Sequence, residues 1–194
     1  MELNKAYWEN RYQTNQTGWD MKQVSPPLKS YIDGISDKNT HILIPGCGNA
    51  YEAKYLLDRG FTNVTIVDIA TPLTKQLQQQ FGNNQHIKII NDDVFNLNDT
   101  YDLILEQTFF CALPLHLRTN YVSKMYNLLK PSGKLAGLLF ASEFAAPGPP
   151  FGGKIADYQK LFGVHFTNVK LEPCYNSIEQ RTGNELFIIA KKES

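Results

Sequence analysis

From His41 onward the chain alternates short apolar runs with longer stretches in which apolar residues recur every three or four positions. The short runs are "HILIP", "NVTIVD", "IKII", "YDLILE" and "KLAGLLF". Helical spacing predicts helices over about Tyr51–Arg59, stopped by Gly60, over Pro72–Phe81 and over Leu115–Leu129. Strands that are apolar at consecutive positions need cover on both faces, so this order argues for a mostly parallel twisted sheet with helices on each side. "KPSGK", Lys130 to Lys134, reads as the turn before the fifth strand, because Pro131 and Gly133 end both neighbouring elements. Ser142–Gly153, "SEFAAPGPPFGG", reads as a loop at the carboxyl end of that strand. Beyond a short helix, "FTNVKLEPCY" and "NELFIIAKK" are strand-like, and "NSIEQRTG" between them closes an antiparallel hairpin, for about seven strands in all. The expected organisation is a single domain over 1–194, with a helical lid segment over 1–40 and the sheet core over 41–194.

Composition narrows the partners. Nineteen basic residues balance nineteen acidic ones, and no Lys/Arg run appears, so nothing marks a surface for nucleic acid or anionic membrane. The expected ligand is a small molecule. The N-terminal "MELNKAYWENRYQ" lacks the apolar core of a signal peptide, and no apolar stretch has membrane-spanning length, which leads to a cytoplasmic expectation. Cys47, Cys111 and Cys174 are odd in number and widely spaced, which predicts free thiols and no metal site. Oligomeric state is left open, with a monomer as the simplest case.

"HILIPGCGNAYE" joins the first strand to a helix through a glycine turn. A dinucleotide fingerprint wants GxGxxG; Gly46 and Gly48 match, but the third position is Tyr51. S-adenosylmethionine carries no phosphate, and two glycines suffice to bring bare backbone near its adenosyl and methionyl parts. Asp68 ends the second strand 20 residues beyond Gly48, where a carboxylate can accept from both ribose hydroxyls or cap the helix that follows. Asp93 follows the third strand in "IINDDVFNL" and could accept from an adenine amino group, with the amide of Val94 facing the ring. A solvated turn carboxylate is the alternative.

These residues, together with "YWENRYQTNQTGWD", "LIPGCGNAYEAKYLLDRGF", "YDLILEQTFFCALPLHLRTNYVSKMYNLLKPSGKL" and "SIEQRTGNE", resemble the thiopurine, thiol and halide methyltransferase family. The resemblance runs from about residue 7 to residue 190. It implies a Rossmann-like class I methyltransferase domain that uses S-adenosyl-L-methionine and releases S-adenosyl-L-homocysteine. It further implies cofactor contacts at Trp8, Tyr12, Trp19, Gly46, Gly48, Asp68, Asp93, Val94 and Gln107. Tyr12 stands where the family usually has Trp, Gln107 where Tyr or Arg is common, and Ala50 where Gly is common. The aromatic cluster has its own rationale, since aromatic faces attract a sulfonium by roughly 0.5 to 2 kcal/mol. Trp8 and Tyr12 share one helix face at i, i+4, so anchoring that helix is a second role for them.

The family's acceptors, a thiol, hydrosulfide, thiopurine or halide, need little activation, and no general base is nominated. Arg118 and Arg181 could supply a positive field, although each reads first as a structural ion-pair partner, Arg181 with Glu179 or Glu185. Cys111 reads as a small buried hydrophobe, and His116 as a surface residue near the start of the long helix. His41, His86 and His165 show no ligand spacing. Phe144, Phe151 and the prolines of the late loop suggest an apolar lid. An NAD(P)-dependent oxidoreductase and a non-catalytic nucleoside-binding module remain as alternatives.

Overall fold

The structure is a computed structural model that describes residues 2–142, 144–145 and 147–194. Met1 of the N-terminal segment and Glu143 and Ala146 of the late loop lie outside the described residues.

Seven strands form one sheet: β1 (Ile42–Pro45), β2 (Val64–Asp68), β3 (Ile87–Asn91), β4 (Tyr101–Gln107), β5 (Leu129–Phe140), β6 (Asn168–Pro173) and β7 (Glu185–Lys191). Their order is β3-β2-β1-β4-β5-β7-β6. The first five run parallel, and β7 lies antiparallel between β5 and β6. The helices are α1 (Lys5–Gln13), α2 (Pro26–Asp33), α3 (Tyr51–Asp58), α4 (Thr71–Phe81), α5 (Arg118–Leu128) and α6 (Ile155–Phe162).

The two-residue period of a strand divides the apolar runs between two cores. Ile42, Ile44, Ile66, Leu103 and Leu105 meet Leu28 and Ile32 of α2, Ala53 and Leu56 of α3, and Leu73 and Leu77 of α4. Leu43, Val67, Ile104 and Leu135 point the other way, onto Tyr121 and Met125 of α5 and Tyr158 and Phe162 of α6. Both faces are therefore covered, as unbroken apolar strands require.

Two boundaries differ from the expectation. The "KPSGK" turn lies inside β5 as a bulge: Leu129 pairs with Tyr101, the register shifts, and pairing resumes at Lys134 with Leu103. Ser132 takes φ 63° there. The long helix starts later than expected, because Leu115–Leu117 forms a tighter 3-10 turn on the Pro114 carbonyl before α5 begins at Arg118.

The sheet positions the site through β1. Its neighbours are β2 and β4, so successive connections leave it in opposite directions and open a crevice at the carboxyl ends of the strands. The helix α1 covers that crevice with no fully buried residue of its own. It is fastened by the Glu9 carboxylate, which accepts from the Thr71 amide at 3.1 Å in the first turn of α4. Among the described residues no helix is long and apolar enough to cross a membrane.

Candidate functional site

The crevice is a cavity of about 570 Å³, bordered by the ends of β1, β2 and β4, the turn after β3, the helix α1 and the late loop. All nine residues named from the sequence line it: Trp8, Tyr12, Trp19, Gly46, Gly48, Asp68, Asp93, Val94 and Gln107.

The glycine turn is left-handed at three of five positions, with φ of 54° at Gly46, 52° at Gly48 and 56° at Ala50. Such angles favour glycine because a Cβ crowds the following carbonyl. Gly46 has a second reason. A Cβ there would lie 2.0 Å from the ring of Phe109, which packs against the bare turn. At Gly48 the nearest neighbour of such a Cβ is the Tyr12 hydroxyl at 3.8 Å, so backbone angle alone decides that position. Gly46→Ala is accordingly expected to displace Phe109 and to destabilise the chain by about 1–3 kcal/mol, measured by denaturant unfolding. A folded variant of undiminished stability would show that Phe109 is not held against the turn.

Asp68 is 8% exposed. Burial is the first cause that lifts its carboxyl to about 6, opposed by the amides of Ala70, Gly48 and Ile69. Its Oδ1 accepts from the Ala70 amide at 2.9 Å, ahead of α4, so part of the capping role is real. Its Oδ2 has only the Gly48 amide at 3.4 Å, a weak bond that leaves acceptor capacity directed at the glycine turn. Asp93 spends Oδ1 on the Phe95 amide at 3.0 Å, and Val94 next to it is buried. Gln107 Nε2 is shielded from solvent and has no hydrogen-bond partner among the described residues. A buried orphan donor, an under-used carboxylate oxygen and a glycine cradle are the features a nucleoside ligand would complete.

The aromatics close one side. Trp19 meets Trp8 edge-on with centroids 5.6 Å apart and Tyr12 at 5.8 Å. Trp8 and Tyr12 thus both anchor α1 and present rings to the cavity. Phe144, Pro149 and Pro150 of the late loop also line it, whereas Phe151 does not.

The charged residues split. Arg181 lines the cavity and, as expected, pairs with Glu185 at 3.1 Å, while donating to the Trp19 carbonyl at 2.9 Å. Arg118 corrects the expectation of an ion pair: among the described residues it makes none, and instead donates to the carbonyls of Phe151 at 2.6 Å and Gly152 at 3.2 Å, its guanidinium 4.4 Å from the Phe110 ring centroid. It pins the end of the late loop. Cys111 is fully buried, accepts from the Phe140 amide, and burial pushes its thiol up to about 12, which suits a packing residue. His116 is exposed and outside the cavity, and His41 packs on Tyr101 with centroids 4.5 Å apart. Among the described residues no histidine or lysine lines the cavity, and no cluster could hold a metal ion.

Sequence reasoning marked the N-terminal segment and the "EQTFF" turn as bordering the site but gave no individual role to Arg11, Asp20 and Phe109, which also line the cavity. Arg11 follows Trp8 by three positions and Asp20 adjoins Trp19, so helix spacing and adjacency were available signals. The approach of Phe109 to Gly46 carries no local signal.

A family model described as thiopurine S-methyltransferase matches residues 3–191. A probable thiol methyltransferase 2 of Arabidopsis thaliana is 27% identical, over 100% of this chain and 88% of the relative. A thiopurine S-methyltransferase of Vibrio cholerae is 26% identical over 96% of this chain and 98% of its own. Among solved structures, the 1,6-didemethyltoxoflavin-N1-methyltransferase of Burkholderia thailandensis, with 1,6-didemethyltoxoflavin and S-adenosylhomocysteine bound, superposes with a TM-score of 0.79 at 18% identity, covering 99% of this chain and 88% of that one.

Proposed function

This chain belongs to the thiopurine S-methyltransferase family, an S-adenosylmethionine-dependent methyltransferase family, and on that footing we propose that it methylates a small sulfur nucleophile or a halide ion. The observation that carries the reading is the convergence of glycine turn, Asp68, Asp93 and three aromatic rings on one cavity.

In this reading Asp93 and Val94 hold the adenine, Asp68 the ribose, and the bare backbone of Gly46 and Gly48 the methionyl chain. Trp8, Tyr12 and Trp19 surround the sulfonium, and Gln107 Nε2 has a hydrogen to give to an oxygen or nitrogen of the ligand. The donor supplies a methyl group on a sulfonium, which passes in line to the acceptor. The chain's own contribution is orientation and exclusion of water. An anionic acceptor and a cationic sulfonium both lose charge toward the transition state, so a dry aromatic wall favours their meeting. This reading assigns proton removal to no residue of the chain. A free thiol of pKa about 8.5 is already a few per cent thiolate near pH 7. Cys47 in the glycine turn is no competing nucleophile, because burial holds its thiol well above the ordinary value.

Two conditions test this. Incubation with S-adenosylmethionine and separate hydrosulfide, small-thiol, thiopurine and iodide acceptors should give acceptor-dependent S-adenosylhomocysteine; none with any of them, in protein that binds the donor, would overturn the sulfur and halide assignment. Because the ribose hydroxyls need an ionised Asp68, whose carboxyl titrates at about 6, the Kd for S-adenosylhomocysteine should be flat above pH 7 and rise about tenfold by pH 5. Calorimetric titration across that range measures it.

A further inference from the structure

We propose that Arg11 and Asp20 form a clamp of opposite charges that grips the amino-acid end of the methyl donor, with Asp20 on its ammonium group and Arg11 on its carboxylate. The proposal rests on S-adenosylmethionine being the donor and is independent of the acceptor.

The cavity's polar features fall in an order along the sheet. Asp93 and Val94 lie beyond β3, Asp68 at the end of β2, and the glycine turn after β1. A nucleoside laid along that order has its adenine at β3, its ribose at β2 and its 5′ substituent at the turn. Whatever holds the 5′ substituent must therefore stand over the turn.

Asp20 stands there. Its Oδ2 accepts from Asn49 Nδ2 at 2.8 Å and from the Tyr51 hydroxyl at 3.4 Å, both in the segment that carries the turn into α3. Its Oδ1 accepts from the Lys22 amide at 2.8 Å. Three neutral donors fix the carboxylate and leave part of its roughly four-site acceptor capacity for a ligand. Arg11 comes from the helix α1. It projects from the same face of α1 as Trp8 and Tyr7, its guanidinium 5.4 Å from the Trp19 ring centroid and 5.9 Å from that of Tyr7. Its Nε is shielded from solvent without a partner, and its Nη1 has only the Gln16 side chain at 3.5 Å.

Neither residue belongs to an ion pair among the described residues, with each other or with a third group. The other arginine of the lining, Arg181, is already paired with Glu185. Two uncompensated charges of opposite sign on the border of one cavity, Arg11 over the Trp19 ring and Asp20 next to Trp19 in the chain, suit a zwitterion. An α-amino acid group has that charge pattern; adenine, ribose, a halide and a simple thiolate do not.

The test compares two ligands that differ by this group alone in their charges. S-adenosylhomocysteine carries the amino-acid end, and 5′-methylthioadenosine keeps the nucleoside and sulfur without it. In calorimetric titrations, Asp20→Asn and Arg11→Gln should each raise the Kd for S-adenosylhomocysteine about tenfold or more, the range of one charge-assisted hydrogen bond, and leave 5′-methylthioadenosine within about twofold. Retained binding of the second ligand also reports that each variant is folded. Arg11→Lys should recover part of the loss, as a point charge without the fork. Equal weakening of both ligands, or no weakening of the first, would overturn the clamp. Wild-type protein that binds neither ligand would instead overturn the donor assignment itself.

Discussion

Asp68→Ala is expected to raise the Kd for S-adenosylhomocysteine at least about a hundredfold without unfolding the chain. Two ribose hydroxyls donating to one buried carboxylate are each worth about 1.5–3 kcal/mol, and alanine removes both acceptors together. The fold should tolerate the change. Burial dominates the environment of Asp68, so the carboxylate is costly to keep ionised there, and its structural work is with nearby backbone amides, chiefly that of Ala70 at 2.9 Å. Calorimetry gives the affinity, and circular dichroism with thermal unfolding verifies the fold. Unchanged affinity in a folded variant would remove Asp68 from the ribose and, with it, the order of subsites along β1 to β3.

The second large effect is on stability. Glu106 of β4 is 0% exposed. Its Oε1 accepts from the Phe110 amide at 2.9 Å, while Oε2 has no partner among the described residues. Burial raises its carboxyl to about 8, with the Phe110 and Phe109 amides and Arg118 acting in the opposite direction. The folded chain therefore keeps a proton that the unfolded chain, with an ordinary carboxyl near 4.5, releases. Stability falls as pH rises between those two values, by on the order of a few kcal/mol in total. For a chain of this size the melting temperature should drop by roughly 5–10 °C between pH 6 and pH 9. Glu106→Gln keeps the acceptor for Phe110 and cannot ionise, so most of that slope should vanish in the variant. Parallel melting curves for the two proteins would assign the slope to another group.

Much of this was legible along the chain. The apolar runs are set by nearest-neighbour chemistry, so their number and the hairpin of β6 and β7 followed from local pattern. Glycine turn, Asp68 and Asp93 were legible because strand ends in a parallel sheet place consecutive loops at one edge. Where contacts join distant segments, the pattern was silent. Arg118 has suitable acidic neighbours nowhere in its own helix, and its partners are carbonyls 33 and 34 residues away. The pairing of Leu129 with Tyr101, which draws the "KPSGK" turn into β5, depends on the neighbouring strand and not on the turn's own residues. Asp20 shows its character only beside Asn49 and Tyr51, about 30 positions further on.

Four residues of the helix α1 line the cavity, Tyr7, Trp8, Arg11 and Tyr12, yet the helix buries none of its own residues completely. Its contacts are the ring edges of Trp19, the Glu9 tie to α4, and the packing of Trp8 and Tyr12 against the margin of the core under α2, α3 and α4. Lifting it would break those contacts without breaking a strand pairing, which places α1 among the parts of the fold that cost least to open locally. Substitutions on the outward face of residues 5–13 are therefore expected to change the rate of ligand exchange more than the global stability of the seven strands.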